Sequence, residues 1–201
     1  MKRTVEDGYD AIAQRYLDWS ARIADDPRSR YLAEFDERLP DGAKVLELGC
    51  GAGVPCTRKL AERHDVLGVD LSQKQVDLAR ANVPGARFEK ADMTVLDFPA
   101  GEFDGVAAFY SILHVPRAEQ PALLARIARW LKPGGLFLAS LGVGTPDVTE
   151  TWLGVEMFFG SNTPAENREF LGRHLEVVVD DLVTMHEPDP ATFHWVLARK
   201  G

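Results

Sequence analysis

Apolar residues along the first forty positions recur at three- and four-residue intervals. Tyr9, Ile12, Ala13, Tyr16 and Leu17 share one helical face, so residues 5–20 and 27–38 read as two helices. The pattern then changes to short apolar runs of strand length separated by helical stretches. Strands are predicted at 45–48, 66–69, 86–89, 103–109 and 136–141, and helices at 55–63, 72–82 and 117–131. Ser72 followed three residues later by Gln75 predicts a capping box at the start of the helix over 72–82. Lys132-Pro133-Gly134-Gly135 stops the helix before it, because proline and glycine both break regular structure. Residues 142–163 read as irregular, a helix follows near 164–174, and two long β runs close the chain at 175–185 and 193–200.

Strands alternating with helices predict an α/β domain with a mostly parallel, doubly wound sheet. The last two β runs are separated by too few residues for a crossover helix. They must form a hairpin, which makes one strand antiparallel. No linker or repeat divides the 201 residues, so a single domain is expected: a helical cap over 1–40, a core over 41–141, an insert and helix over 142–174, and the closing hairpin over 175–201.

The charge balance narrows the partners. Thirty-one acids against twenty-three bases leave −8, which disfavours a nucleic-acid-binding face. No apolar run reaches the roughly 18 residues that span a bilayer, and the N-terminus lacks a signal-like apolar core. Cys50 and Cys56 make no disulfide framework, so reduced thiols and a cytoplasmic setting are expected, as monomer or homodimer.

The chemistry concentrates around Glu47-x-Gly49-x-Gly51-x-Gly53 and Pro55, between the first strand and its helix. Three alternate glycines let the chain turn sharply and let a ligand approach the backbone. In open parallel sheets ligands bind beyond the carboxyl ends of the strands. Asp70 ends the second strand at a distance suited to two ribose hydroxyls, Asp92 and Met93 follow the third, and Phe109 and Tyr110 follow the fourth. The loop lacks the G-x-G-x-x-G spacing of a dinucleotide site, and its leading acid suits an ammonium better than a pyrophosphate.

With Phe103-Asp104-Gly105-Val106 and Leu131-Lys132-Pro133-Gly134-Gly135 added, these motifs resemble, in order, those of class I S-adenosylmethionine-dependent methyltransferases. The likeness runs from about residue 40 to 141, and Tyr9-Asp10-x-Ile12-Ala13-x-x-Tyr16 is similar to the cap helix of the small-molecule members. It implies a Rossmann-like, seven-stranded sheet. It also implies S-adenosylmethionine as cofactor, converted to S-adenosylhomocysteine, held by Tyr16, Glu47, Gly49, Gly51 and Gly53 and by Asp70, Leu71, Asp92, Met93 and Phe109. A same-fold protein that binds the cofactor without transferring methyl remains the alternative, and an NAD-dependent oxidoreductase a more distant one.

For the acceptor, His114 reads either as a general base, since imidazole titrates near neutral pH, or as a packing residue, and Tyr110 as an orienting group. Residues 142–163 carry Trp152, Met157, Phe158 and Phe159, which either fill core or, with Tyr9, line a pocket for an apolar or aromatic small molecule. No acid cluster points to a metal. His194 and Trp195 read as sheet residues.

Overall fold

Strand β1 (Lys44–Leu48) shows how the layers arise. Val45 faces one side, and Leu46 and Leu48 face the other, all fully buried. Burial on both faces needs helices above and below, which the alternating sequence supplies. The computed structural model describes residues 1–186 and 190–201. A seven-stranded sheet runs β3 (Arg87–Lys90), β2 (Asp65–Asp70), β1, β4 (Phe103–Phe109), β5 (Leu131–Leu141), β9 (Ala191–Arg199), β8 (Glu176–Met185). Its pairs are parallel until β5, and β9 is antiparallel to both neighbours. The expected Rossmann-like sheet with one antiparallel strand is therefore present. Of the turn predicted between the last two strands, residues 187–189 lie outside the described residues.

On one face, α5 (Gln120–Trp130) and α6 (Pro164–Gly172) cover Leu46, Leu48, Val106, Phe137 and Ala139. On the other, α2 (Arg28–Arg38) and α3 (Cys56–Leu60) cover Val45, Ala107 and Leu138, and Tyr31 stacks on Trp195 with ring centroids 4.4 Å apart. Helix α4 (Gln73–Asn82) packs Val76 and Ala79 against Phe88. His194 and Trp195 are fully buried in β9, as sheet residues.

Four elements differ from the sequence reading. Helix α3 is a five-residue turn with Pro55 at its N-cap, because the chain must drop directly into β2. Strand β5 begins at Leu131, and Pro133–Gly135 sit in it as a register irregularity opposite 103–105. Ser72 Oγ does accept the Gln75 N–H, but the reciprocal bond is missing because Asp70 takes the Ser72 N–H. The reciprocal box occurs instead at Thr163 and Glu166.

The fourth difference matters most. Residues 142–163 are not irregular: β6 (Val148–Trp152) and β7 (Val155–Phe159) form a separate antiparallel hairpin. Its two-residue turn has φ +48° at Leu153 and +80° at Gly154, the primed geometry that matches strand twist. A leucine in that region carries local strain, and Arg15 of α1 (Lys2–Ser20) braces it by donating to the Leu153 carbonyl at 2.5 Å.

Candidate cofactor and acceptor site

The loop after β1 is built for close approach. Gly49, Gly51 and Gly53 have φ of +71°, +53° and +76°. At Gly49 a Cβ would collide with Ser111, whose hydroxyl donates to the Leu48 carbonyl at 2.7 Å. The N–H groups of Gly49 and Cys50 both bond the Val69 carbonyl, at 2.8 and 3.0 Å, locking the loop to β2. Gly53 stands apart from the expected role. It turns toward α4, where a Cβ would sit 3.2 Å from Val83, and it is absent from the crevice wall.

Two carboxylates flank the loop. Asp70 accepts N–H bonds from Gly51 and Ser72, each at 2.9 Å, yet burial pushes its carboxyl up to about 6. Glu47, 3% exposed, accepts the Thr57 hydroxyl at 2.5 Å, and burial pushes it up to about 7. Desolvation of the charged form explains both directions. Two further groups were not foreseen. Gln75 lies beside Gly51 with both amide atoms buried and no protein partner. The half-buried Arg28 donates through Nε to Asp26 at 2.6 Å. Burial opposes its charge, and the Asp26 carboxylate overrides that, so the guanidinium stays a cation inside the crevice.

Lys2, Tyr16, Leu71, Met93 and Phe109 complete the crevice wall. Asp92 lines it too, held by Thr94 N–H and Oγ1–H at 2.8 and 2.7 Å and by the Lys2 ammonium at 3.1 Å. Helix α1 closes over this end. Besides the Lys2 pair, Glu6 pairs with Lys90, and Asp10 accepts the Ser72 hydroxyl and the Lys74 N–H.

Beyond the crevice opens a cavity of about 930 Å³ between α1, the β6–β7 hairpin and the start of β9. Tyr9, Tyr16, Arg28, Tyr110 and His114 line both spaces. His114 is fixed: Nδ1–H donates to the Phe158 carbonyl at 2.8 Å, leaving Nε2 to accept the Tyr9 hydroxyl at 2.9 Å. Burial lowers its pKa to about 4, so the ring is neutral at pH 7. Tyr110, at φ +50°, gives its hydroxyl to Asp26 at 2.9 Å. Burial and that carboxylate push the phenol far up, which removes it as a base. Of the aromatic stretch, Trp152 and Phe159 line the cavity with Tyr9. Met157 and Phe158 do not: they are core, packed with Val5 and Ile12 of α1. Gly8 makes room for the Met157 methyl, which explains the close seat of α1 on β7.

A family model described as a methyltransferase domain matches residues 45–135, the segment holding the loop, Asp70 and Asp92. Phosphoethanolamine N-methyltransferase 3 of Arabidopsis thaliana is 39% identical over 106 residues, covering 50% of this chain but only 21% of that protein. The 27-O-demethylrifamycin SV methyltransferase of Amycolatopsis mediterranei is 34% identical over 151 residues, 64% of this chain and 54% of that one. The structure of Burkholderia thailandensis 1,6-didemethyltoxoflavin-N1-methyltransferase, with bound 1,6-didemethyltoxoflavin and S-adenosylhomocysteine, superimposes with a TM-score of 0.74. It is 24% identical and covers 97% of this chain and 86% of that one, a likeness of fold. The crevice suits the cofactor these matches imply. Its glycine cradle admits a ligand against the backbone, and Gln75 holds out a buried amide that the protein leaves unbonded. Residues 45–135 thus carry a methyltransferase domain of the class I S-adenosylmethionine-dependent kind, and S-adenosylmethionine is the cofactor that its crevice fits.

Proposed function

We propose that the chain methylates a small molecule seated in the larger cavity. The observation that carries this reading is the shared wall: Tyr9, Tyr16, Arg28, Tyr110 and His114 border both crevice and cavity, so an acceptor abuts the methyl donor. When bound, the cofactor supplies an electrophilic methyl carbon on a sulfonium. Glu47 and Arg28 take the ammonium and carboxylate of its methionine part, Asp70 the ribose, and Asp92 with Met93 the adenine. Tyr16, Leu71 and Phe109 close around it.

At the junction, the Tyr9 hydroxyl donates to His114 Nε2, which leaves its oxygen lone pairs free to accept. A proton leaving the acceptor passes to the Tyr9 oxygen while the tyrosine proton moves to Nε2. A base as weak as His114 works only as the new bond forms, which fits an acceptor atom that is already nucleophilic. Tyr110 orients, and Trp152 and Phe159 exclude water. The small-molecule class agrees with relatives named for phosphoethanolamine and a demethylrifamycin. The net charge of −8 weighs against nucleic acid. A cytoplasmic setting accords with two free, buried thiols, and among the described residues no helix is long and apolar enough to cross a membrane. Light scattering distinguishes monomer from homodimer.

The test is methyl transfer from labelled S-adenosylmethionine to fractionated small-molecule extract. A labelled product is expected, cut about a hundredfold by His114→Ala while S-adenosylhomocysteine affinity holds within about threefold. Binding of S-adenosylhomocysteine with no product from any fraction would favour a protein that binds the cofactor without transfer. Stabilisation by NADH instead would overturn the reading altogether.

A further inference from the structure

We propose that the acceptor cavity recognises a ligand bearing a cationic, alkylated nitrogen, seated on the aromatic wall of Tyr9, Tyr16, Trp19, Trp152 and Phe159 with Glu150 at its edge. This deepens the methyl-transfer reading and rests on it.

The wall is continuous. Tyr16 stacks on Trp19 at 5.9 Å and 27°, Trp19 meets Trp152 edge-on at 5.4 Å, and Trp152 meets Phe159 edge-on at 6.0 Å. Tyr9 joins at 6.1 Å from Trp152. All five rings are half-buried: their neighbours cover part of each, and the remainder borders the cavity. An aromatic face carries negative charge density and attracts a cation laid against it. Elsewhere the protein supplies such cations itself, with Arg28 over Tyr110, Arg30 over Tyr31, Lys44 over Phe103 and Arg173 over Phe170. Among the described residues, none of the five wall rings has one.

The charges around the cavity point the same way. Its lining holds Asp26, Arg28 and Glu150. Asp26 and Arg28 are paired with each other at 2.6 Å, which leaves Glu150 as the uncompensated charge among the described residues. Glu150 and Trp152 stand two apart on β6 and project from one face of the hairpin. Glu150 is exposed, so a neutral apolar ligand beside it gains nothing from the carboxylate. A cation returns an opposite charge. An unalkylated ammonium needs three hydrogen-bond acceptors, whereas the wall offers mostly ring faces and a Tyr9 hydroxyl already donating to His114. Alkyl groups on the nitrogen remove that demand. The cavity, at about 930 Å³, has room for the rest of a larger molecule.

The experiment uses the purified chain saturated with S-adenosylhomocysteine and follows tryptophan fluorescence. Choline is titrated against its neutral isostere 3,3-dimethylbutan-1-ol. Choline is expected to bind at least about tenfold more tightly than the isostere. Trp152→Leu is expected to weaken choline about tenfold, and the exposed Glu150→Gln about threefold, with S-adenosylhomocysteine affinity unchanged in both. Equal binding of choline and the isostere would overturn the proposal, as would no choline signal up to about 100 mM with S-adenosylhomocysteine bound. Either result leaves the methyl-transfer reading standing. Failure to bind S-adenosylhomocysteine would bring down that reading, and this one with it.

Discussion

Glu47→Gln separates what the crevice does for the fold from what it does for its ligand. Burial holds this carboxyl near 7 against an ordinary value of 4.5, so the folded chain keeps it protonated where the unfolded chain ionises it. Stability is therefore present at pH 4 and is lost as pH rises through 7; at pH 7.5 the loss amounts to about 3 kcal/mol. A glutamine carries no such charge. It keeps an oxygen for the Thr57 hydroxyl but buries an amide N–H pair, which returns about 1–2 kcal/mol of the gain. The net stabilisation at pH 7.5 is about 1–2 kcal/mol, or a Tm higher by roughly 2–8 °C for a chain of this length. At pH 5 the advantage disappears, because the wild-type carboxyl is then protonated in the fold. Affinity is expected to move the other way: with Glu47 in its proposed place as charged partner of the methionine ammonium, the substitution weakens S-adenosylhomocysteine by about 10- to 100-fold. Differential scanning fluorimetry at the two pH values and isothermal titration read both quantities. A lower Tm at pH 7.5 with unchanged affinity would show that Glu47 serves Thr57 and not the cofactor.

Two more perturbations address the loop and the junction. Gly49→Ala places a Cβ against Ser111 at φ +71° and is expected to cost about 2–4 kcal/mol by urea denaturation. Gly85→Ala, where a Cβ meets open space, should change stability by less than about 1 kcal/mol, and equal effects would deny the loop its special geometry. For His114, burial lowers the folded pKa to about 4 from 6.5, so its contribution is complete above pH 6.5 and lost as pH falls through 4. The wild type should lose up to about 3 kcal/mol over that window through this ring alone. His114→Gln should lose correspondingly less, and identical pH–stability curves would refute the buried neutral ring.

The alternation of strands and helices, the closing hairpin, the glycine loop and the carboxylates at the strand ends were legible because each depends on local spacing. A strand of five residues and a turn of three glycines leave few alternatives. What escaped depends on tertiary burial. Arg28 sits in Asp25-Asp26-Pro27-Arg28-Ser29-Arg30, a stretch that reads as solvated surface, and only Asp26 and the approach of α2 draw it inside. Gln75 looked like half of a capping box, and its amide turned to the crevice because Asp70 had already taken the Ser72 N–H. Met157 and Phe158 alternate along β7, yet both are buried in the cluster that forms where α1, with Val5 and Ile12, packs on the hairpin. No periodicity could mark which aromatic residues would line a cavity and which would fill core.

Helix α1 and the β6–β7 hairpin form one piece: Met157 seats against Gly8, and Arg15 holds the hairpin turn. The same helix lies across the crevice through Lys2, Glu6 and Asp10. Any swing of α1 wide enough to exchange cofactor therefore takes Tyr9, Tyr16 and Trp152 with it and disperses the far wall of the cavity. That coupling imposes an order on turnover. Under the proposed methyl transfer, cofactor binds before acceptor, methylated product leaves before S-adenosylhomocysteine, and inhibition by S-adenosylhomocysteine is competitive against the cofactor.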